Sequence, residues 1–98
     1  MLFADRIKQL REDNGLLQRK VAAALDVDAG LYSKIERGER SAKREHVIAL
    51  ASIFNADEKE LLTLWLADQV YGIVEYEQTA NDVLNIVAEN IVEYNKSK

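Results

Sequence analysis

The 98-residue sequence predicts a small all-α protein, and three observations support this fold class. The chain has no proline, the residue that most strongly interrupts helices. Alanine, leucine, glutamate and lysine, which favour helices, are abundant. Apolar residues recur three and four positions apart along most of the chain, which is the spacing of a helix with one buried face. With 48% apolar residues, the chain can form one hydrophobic core.

The first helix is predicted over residues 2–13. Phe3, Ile7 and Leu10 would share its buried face. Gly15 is suited to end this helix, because glycine adopts left-handed backbone angles without steric cost.

Two short helices are predicted next, over residues 18–25 and 29–37. The turn at residues 26–28 separates them. Asp28 can cap the helix at residues 29–37 by accepting hydrogen bonds from its first amides. Ala22 provides the small side chain that a close crossing of two helices requires. Two short helices joined by a tight turn form the plan of a helix-turn-helix. The apolar residues expected to fill the core between these helices are Val21, Leu25, Val27, Tyr32 and Ile35.

Three further helices are predicted in the remainder of the chain. The fourth would begin at residue 41 or 42 and close at residue 55, the fifth would span residues 57–76, and the sixth residues 80–95. The segment VYGIVEY, residues 70–76, also fits a short strand because it is rich in β-branched and aromatic residues. No partner strand is evident, so the helix is favoured.

Charge is divided unevenly along the chain, whose net charge is −4. Residues 1–46 carry ten basic and eight acidic residues, whereas residues 47–98 carry three basic and nine acidic ones. An acidic protein is not expected to coat nucleic acid indiscriminately, but a basic face on the N-terminal half remains compatible with this balance. The basic residues concentrated in one stretch are Lys34, Arg37, Arg40, Lys43 and Arg44.

The composition argues against several classes of function. The absence of cysteine excludes a disulfide framework, a thiolate nucleophile and cysteine-based metal sites. His46, the only histidine, has no second ligand at metal spacing, and Ser33 has no histidine base nearby, so we expect no metal, no cofactor and no enzymatic activity. No apolar run is long enough to cross a bilayer and residues 1–10 lack a secretory apolar segment, which predicts a cytoplasmic location without membrane association.

Three stretches in the first half of the chain carry a family resemblance. They are REDNGLLQ (residues 11–18), VAAALDV (residues 21–27) and SKIERGER (residues 33–40). On these stretches the sequence resembles the phage-repressor-like, or Xre-type (Cro/repressor), helix-turn-helix family over about residues 3–56. The resemblance implies an all-α, compact five-helix repressor-like DNA-binding domain whose third helix enters the major groove of double-stranded DNA. Residues 1–56 would form this DNA-binding core. Residues 57–98 would be a C-terminal helical extension that completes the core and dimerises, within one folding unit.

The resemblance also implies roles for individual residues. Arg11 and Glu36 would form a structural ion pair between the first helix and the end of the third. The implied base-reading face consists of Asp28, Ala29, Gly30, Leu31, Ser33 and Lys34. The implied phosphate contacts are Gln18, Arg19, Arg37, Gly38, Arg40, Lys43 and Arg44.

The implied base-reading chemistry is only partly present. Ala29 and Gly30 stand where the family often has glutamine or serine, and neither side chain can hydrogen-bond to a base. Lys34 can donate to guanine, so specificity is expected to rest on few direct contacts and partly on DNA shape. Ala42 lies where the family usually has a proline after the basic loop, which predicts a less rigid loop.

The favoured interpretation is a sequence-specific DNA-binding transcriptional regulator, a repressor or autoregulator, that reads the major groove as a homodimer. The C-terminal helices carry more apolar residues than one small core needs, and a two-fold dimer would read a palindromic site. The alternative is a protein-interaction module, such as an antitoxin-type partner binder, with DNA binding secondary or lost. Ala29 and Gly30 keep this alternative open. The predicted dimer interface consists of Leu64, Trp65, Tyr71, Val87, Ile91 and Tyr94.

Overall fold

A computed structural model of the protein describes residues 1–96, and all of its regular structure is helical. The helices are α1 (Leu2–Asp13), α2 (Gln18–Leu25), α3 (Ala29–Glu36), α4 (Arg44–Ile53), α5 (Glu58–Val74) and α6 (Ala80–Lys96). The all-α class is therefore confirmed. The implied count of five helices is not exact, because the C-terminal extension includes a sixth regular helix. Residues 70–74 continue α5, and no strand occurs between residues 1 and 96.

The chain divides into two compact units, residues 1–68 and residues 69 onward. The first unit contains α1 to α4 and most of α5, and the second contains the end of α5 and α6. Residues 57–68, which the sequence assigned to the C-terminal extension, lie in the first unit. The first half of α5 belongs to the core of that unit, where Leu61 is fully buried.

The core of the first unit forms around the helix-turn-helix. Helix α2 packs on α3 and α4, and α1 packs on α3. Every helix of this unit contributes at least one fully buried side chain, and burial of each aliphatic one stabilises the fold by about 1.5–3 kcal/mol. The largest of them are Ile7, Val21, Tyr32, Val47, Leu50 and Leu61.

Each of the first four helices is followed, within two residues of its end, by a residue in the left-handed backbone region. These residues are Gly15, Asp26, Gly38 and Asn55, with φ angles of 65°, 59°, 76° and 51°. The amide that follows each of them donates to a carbonyl five residues earlier, as Leu16 does to Arg11 at 3.0 Å and Glu39 does to Lys34 at 2.9 Å. These bonds satisfy carbonyls that a helix end otherwise leaves unpaired, and they make the connections between helices short.

Asp68 holds the start of α1. Its two carboxylate oxygens accept hydrogen bonds from the amides of Leu2 at 3.0 Å and Phe3 at 2.9 Å. A carboxylate stabilises a helix N-terminus because it pairs with free amides and complements the positive end of the helix dipole. Asp68, the last residue of the first unit, is thus hydrogen-bonded to the start of α1.

We expect alanine to destabilise the protein at the two glycines with left-handed backbone angles, but not at a glycine inside a helix. Gly15→Ala should lower the free energy of unfolding by about 1–2 kcal/mol, because a side chain is disfavoured at its φ angle. Gly38→Ala should cost as much or more, since its Cβ would lie 2.9 Å from Met1 Cγ, whereas nothing lies within 4 Å at Gly15. Urea unfolding measures both costs.

Gly72→Ala is the matched control, because Gly72 lies inside α5 and an added Cβ atom would meet nothing within 4 Å. This substitution should leave stability unchanged or raise it by up to about 1 kcal/mol. A destabilisation by Gly72→Ala as large as that by Gly15→Ala would show that the left-handed angles are not what the first two variants measure.

Candidate nucleic-acid interface

The helix-turn-helix consists of α2, a three-residue turn and α3. Asp28 ends the turn, and its Oδ2 accepts a hydrogen bond from the amide of Gly30 at 2.9 Å, which caps α3. A Cβ atom at residue 30 would lie 2.9 Å from that same Oδ2. The absence of a side chain at Gly30 therefore leaves room for the cap. Val27 is half-buried and packs on the core, so the turn is fixed on its inner side.

A buried ion pair ties α1 to the end of α3. Arg11 Nη2 lies 2.8 Å from Glu36 Oε1, and the two side chains are 14% and 2% exposed. Arg11 Nε also donates to both carboxylate oxygens, and Arg11 Nη1 donates to the carbonyl of Leu16 at 2.9 Å. Gln18 Nε2 donates to Glu36 Oε1 at 3.2 Å. Side chains from α1, α2 and α3 thus meet at one carboxylate, through the pair that the resemblance implied.

The surroundings of this carboxylate shift three pKa values. Burial alone would raise the pKa of Glu36, but the hydrogen bonds from Arg11 and Gln18 outweigh it and the pKa lies below its usual value. The hydrogen bond to Glu36 raises the pKa of Arg11. Burial, and then the nearby Glu36 carboxylate, raises the pKa of Tyr32 well above its ordinary value. At neutral pH the ion pair is therefore fully charged and the phenol is protonated.

The implied base-reading residues are not equally available. Those exposed to solvent are Asp28, Ala29, Gly30 and Lys34. Leu31 is half-buried and packs on the core, and Ser33 accepts a hydrogen bond from Arg37 Nη1 at 2.7 Å. Lys34 makes no hydrogen bond or ion pair with residues 1–96 through its side chain. It is thus the exposed donor of α3 that can reach a base without first giving up a partner.

The implied phosphate contacts also differ in what already holds them. Gln18 is engaged by Glu36, as described above. Arg37 is paired with Glu39 at 2.7 Å, and both side chains are 56% exposed. Gly38 is half-buried at the end of α3. The remaining implied contacts are exposed cations, and they are Arg19, Arg40, Lys43 and Arg44.

Trp65 fastens the loop that leads into α4. Its Nε1 donates to the carbonyl of Ala42 at 2.9 Å, and the guanidinium of Arg44 lies 5.4 Å from the centre of its ring. Ala42 itself is buried in the core. The loop that was expected to be less rigid is thus anchored by a partner distant in the sequence. Arg44, an implied phosphate contact, is positioned by an aromatic side chain.

The six residues predicted for a dimer interface fall into two groups. Leu64 and Trp65 are half-buried and pack on the core of the first unit. The other four are exposed on the second unit, and they are Tyr71, Val87, Ile91 and Tyr94.

Neither a metal centre nor a membrane span is found in the part of the chain that the structure describes. Residues 1–96 contain no group of three or more histidine, aspartate or glutamate side chains placed to hold a metal ion. None of the helices there is both long and apolar enough to cross a membrane.

Comparison with known families agrees with the geometry of the first unit. Residues 2–64, which are more than half of the chain, match the family described as the helix-turn-helix domain. The chain therefore belongs to the helix-turn-helix domain family, and this membership implies binding to DNA. The matched region covers α1 to α4 and the first turns of α5, and so lies within the first unit. No curated protein and no solved structure matches the chain.

The buried ion pair leads to a prediction about acid stability. Glu36 has a lowered pKa in the folded state, so its contribution is fully present above the unfolded value of about 4.5 and is lost as pH falls through the folded value. Glu36→Gln leaves Arg11 buried without a counter-charge and should cost about 3 kcal/mol at pH 7. It should also flatten the loss of stability below pH 4.5. Urea unfolding across a pH series measures both effects.

Glu39→Gln is the matched control, because Glu39 forms an arginine pair of similar length on the surface. Loss of this exposed pair should cost about 0–1 kcal/mol and leave the acid dependence unchanged. Equal costs for the two glutamine variants would refute the dominant role of burial in the pair at Glu36.

Proposed function

We propose that the protein is a sequence-specific DNA-binding transcriptional regulator of the phage-repressor-like, Xre type. It acts in the cytoplasm as a repressor or autoregulator, binds its site as a homodimer, and needs neither a cofactor nor catalytic activity. The observation that carries this proposal is the exposed surface of α3 with Lys34 available on it, held by the buried pair at Glu36. Exposed cations lie on α2 and in the segment that follows α3.

The chemistry of the α3 surface suits a limited reading of the major groove. Lys34 can donate to the O6 and N7 acceptors of guanine, and Ala29 can contact a thymine methyl group. Asp28 is committed to capping α3 and Gly30 has no side chain, so direct contacts are few. Part of the specificity would therefore come from the shape and deformability of the site.

The cations near α3 would supply most of the affinity. Arg19 and Arg40 are exposed and make no side-chain hydrogen bond or ion pair with residues 1–96. Arg37 would have to exchange Glu39 for a phosphate, which makes it a weaker contributor. Neutralising phosphates releases counterions, so this mode of binding weakens steeply with salt.

The alternative function, an antitoxin-type binder of another protein, has one observation in its favour. The second unit exposes large apolar side chains, among them Tyr71, Ile73 and Tyr76, that a partner protein could cover. In that case DNA binding would be weak or lost.

Selection of bound sequences from a random pool of duplexes, followed by binding measurements on the selected site, tests the proposal. Lys34→Ala should weaken binding to the selected site by about 1–3 kcal/mol and relax the preference at one position. Arg40→Ala should weaken binding to all sequences alike and reduce the slope of log affinity against log salt by about 1.

Lys59→Ala is the control, since it removes one exposed positive charge outside the helix-turn-helix segment. It should leave both affinity and salt dependence close to those of the unmodified protein. Binding that responds little to salt and shows no preference among sequences would contradict the regulator and favour the protein-interaction alternative.

A further inference from the structure

Helix α6 carries a stripe of exposed apolar side chains. The stripe consists of Leu84, Val87, Ile91 and Tyr94, whose exposed fractions lie between 37% and 63%. We propose that a second copy of this chain covers the stripe, so that two α6 helices pair as a short two-stranded coiled coil. This inference deepens the proposed function, because it names the surface through which the homodimer would form.

The spacing of the stripe is that of a coiled-coil seam. Its residues alternate at intervals of three, four and three, as the a and d positions of a heptad do. Ala80 continues the same series one turn earlier. A strict alternation of this kind keeps the seam facing a partner helix along its whole length.

Helix α6 has 17 residues, and none of them is buried. Most helical stability in proteins comes from packing of an apolar face rather than from helix propensity alone. Covering the seam would therefore stabilise α6 as well as join two chains.

The distribution of charge on α6 favours a second copy as the occupant. The charged residues of α6 within the described chain are Asp82, Glu89, Glu93 and Lys96. At 3.6 residues per turn, all four lie on the side of the helix opposite the seam. The positions that flank the seam carry no charge, and they are Asn81, Val83, Ala88, Asn90 and Asn95.

This arrangement favours self-pairing over a charged partner. A partner of opposite charge would be selected by charged residues beside the seam, and α6 has none there. Two copies of an acidic helix would repel each other if their carboxylates flanked the contact. Here the carboxylates point away from it, so two copies can approach without like charges facing each other.

The inference is tested by the oligomeric state of the full chain, measured by sedimentation over a concentration series without DNA. The unmodified protein should dimerise. Ile91→Glu should raise the dimer dissociation constant by about 100-fold or more, because each copy would bury an unpaired carboxylate at the seam. Val92→Glu is the matched control, since it adds the same charge to a neighbouring, equally exposed β-branched residue outside the seam, and it should leave the dimer intact.

Cysteine cross-linking tests the same surface without adding charge. The chain has no cysteine, so single substitutions report single positions. Val87→Cys and Ile91→Cys should each form disulfide-linked dimers on mild oxidation if the helices are parallel. If the helices are antiparallel, residue 87 of one copy faces residue 91 of the other, so a mixture of the two variants should cross-link instead. Glu89→Cys, on the opposite side of α6, should remain unlinked.

The outcomes separate this inference from the proposed function. A monomeric unmodified chain, or a dimer that Ile91→Glu and Val92→Glu affect equally, would overturn pairing through the seam. Neither result would bear on DNA binding, because sedimentation is measured without DNA. Loss of sequence-specific DNA binding with an intact seam-dependent dimer would instead overturn the regulator and leave this inference standing.

Discussion

The carboxylate of Glu36 is the point at which the first three helices of the protein are joined. Arg11 reaches it from α1 and Gln18 from α2, while Glu36 itself ends α3. Both charges of the pair are largely removed from water, so neither can be lost without leaving the other uncompensated. The orientation of α3, and with it the direction of Lys34, depends on this contact more than on any exposed ion pair.

Local signals explain why some helix bounds follow from the sequence and others do not. Helices α1 and α2 have the predicted bounds because Gly15 and Asp26 stop them within their own turns. Helix α4 begins at Arg44, later than predicted, because Ala42 enters the core and its carbonyl is taken by Trp65. That tie links residues 23 positions apart, and no local pattern of hydropathy reveals it.

In the candidate site, too, features set by residues close in the sequence could be predicted, whereas features set by contacts between distant residues could not. The cap formed by Asp28 follows from its position before a helical run. The pairing of Arg11 with Glu36 was predicted from the family resemblance, because the periodicity of apolar residues does not indicate it. The half-burial of Leu31 and the hold of Asp68 on α1 depend on which helices meet in space. Periodicity assigns a residue to a helical face, but only the packing of several helices decides which edge of that face stays in water.

The small residues at the start of α3 have a consequence for how such a protein can change its target. Ala29 is exposed, caps nothing and packs on nothing essential, so evolution can place a longer polar side chain there and acquire a new base preference without disturbing the fold. Gly30 is more constrained, because a Cβ atom there would lie 2.9 Å from the Oδ2 atom of Asp28, and the side chain that caps α3 would have to shift. Retargeting of this scaffold would therefore proceed more readily at Ala29 than at Gly30.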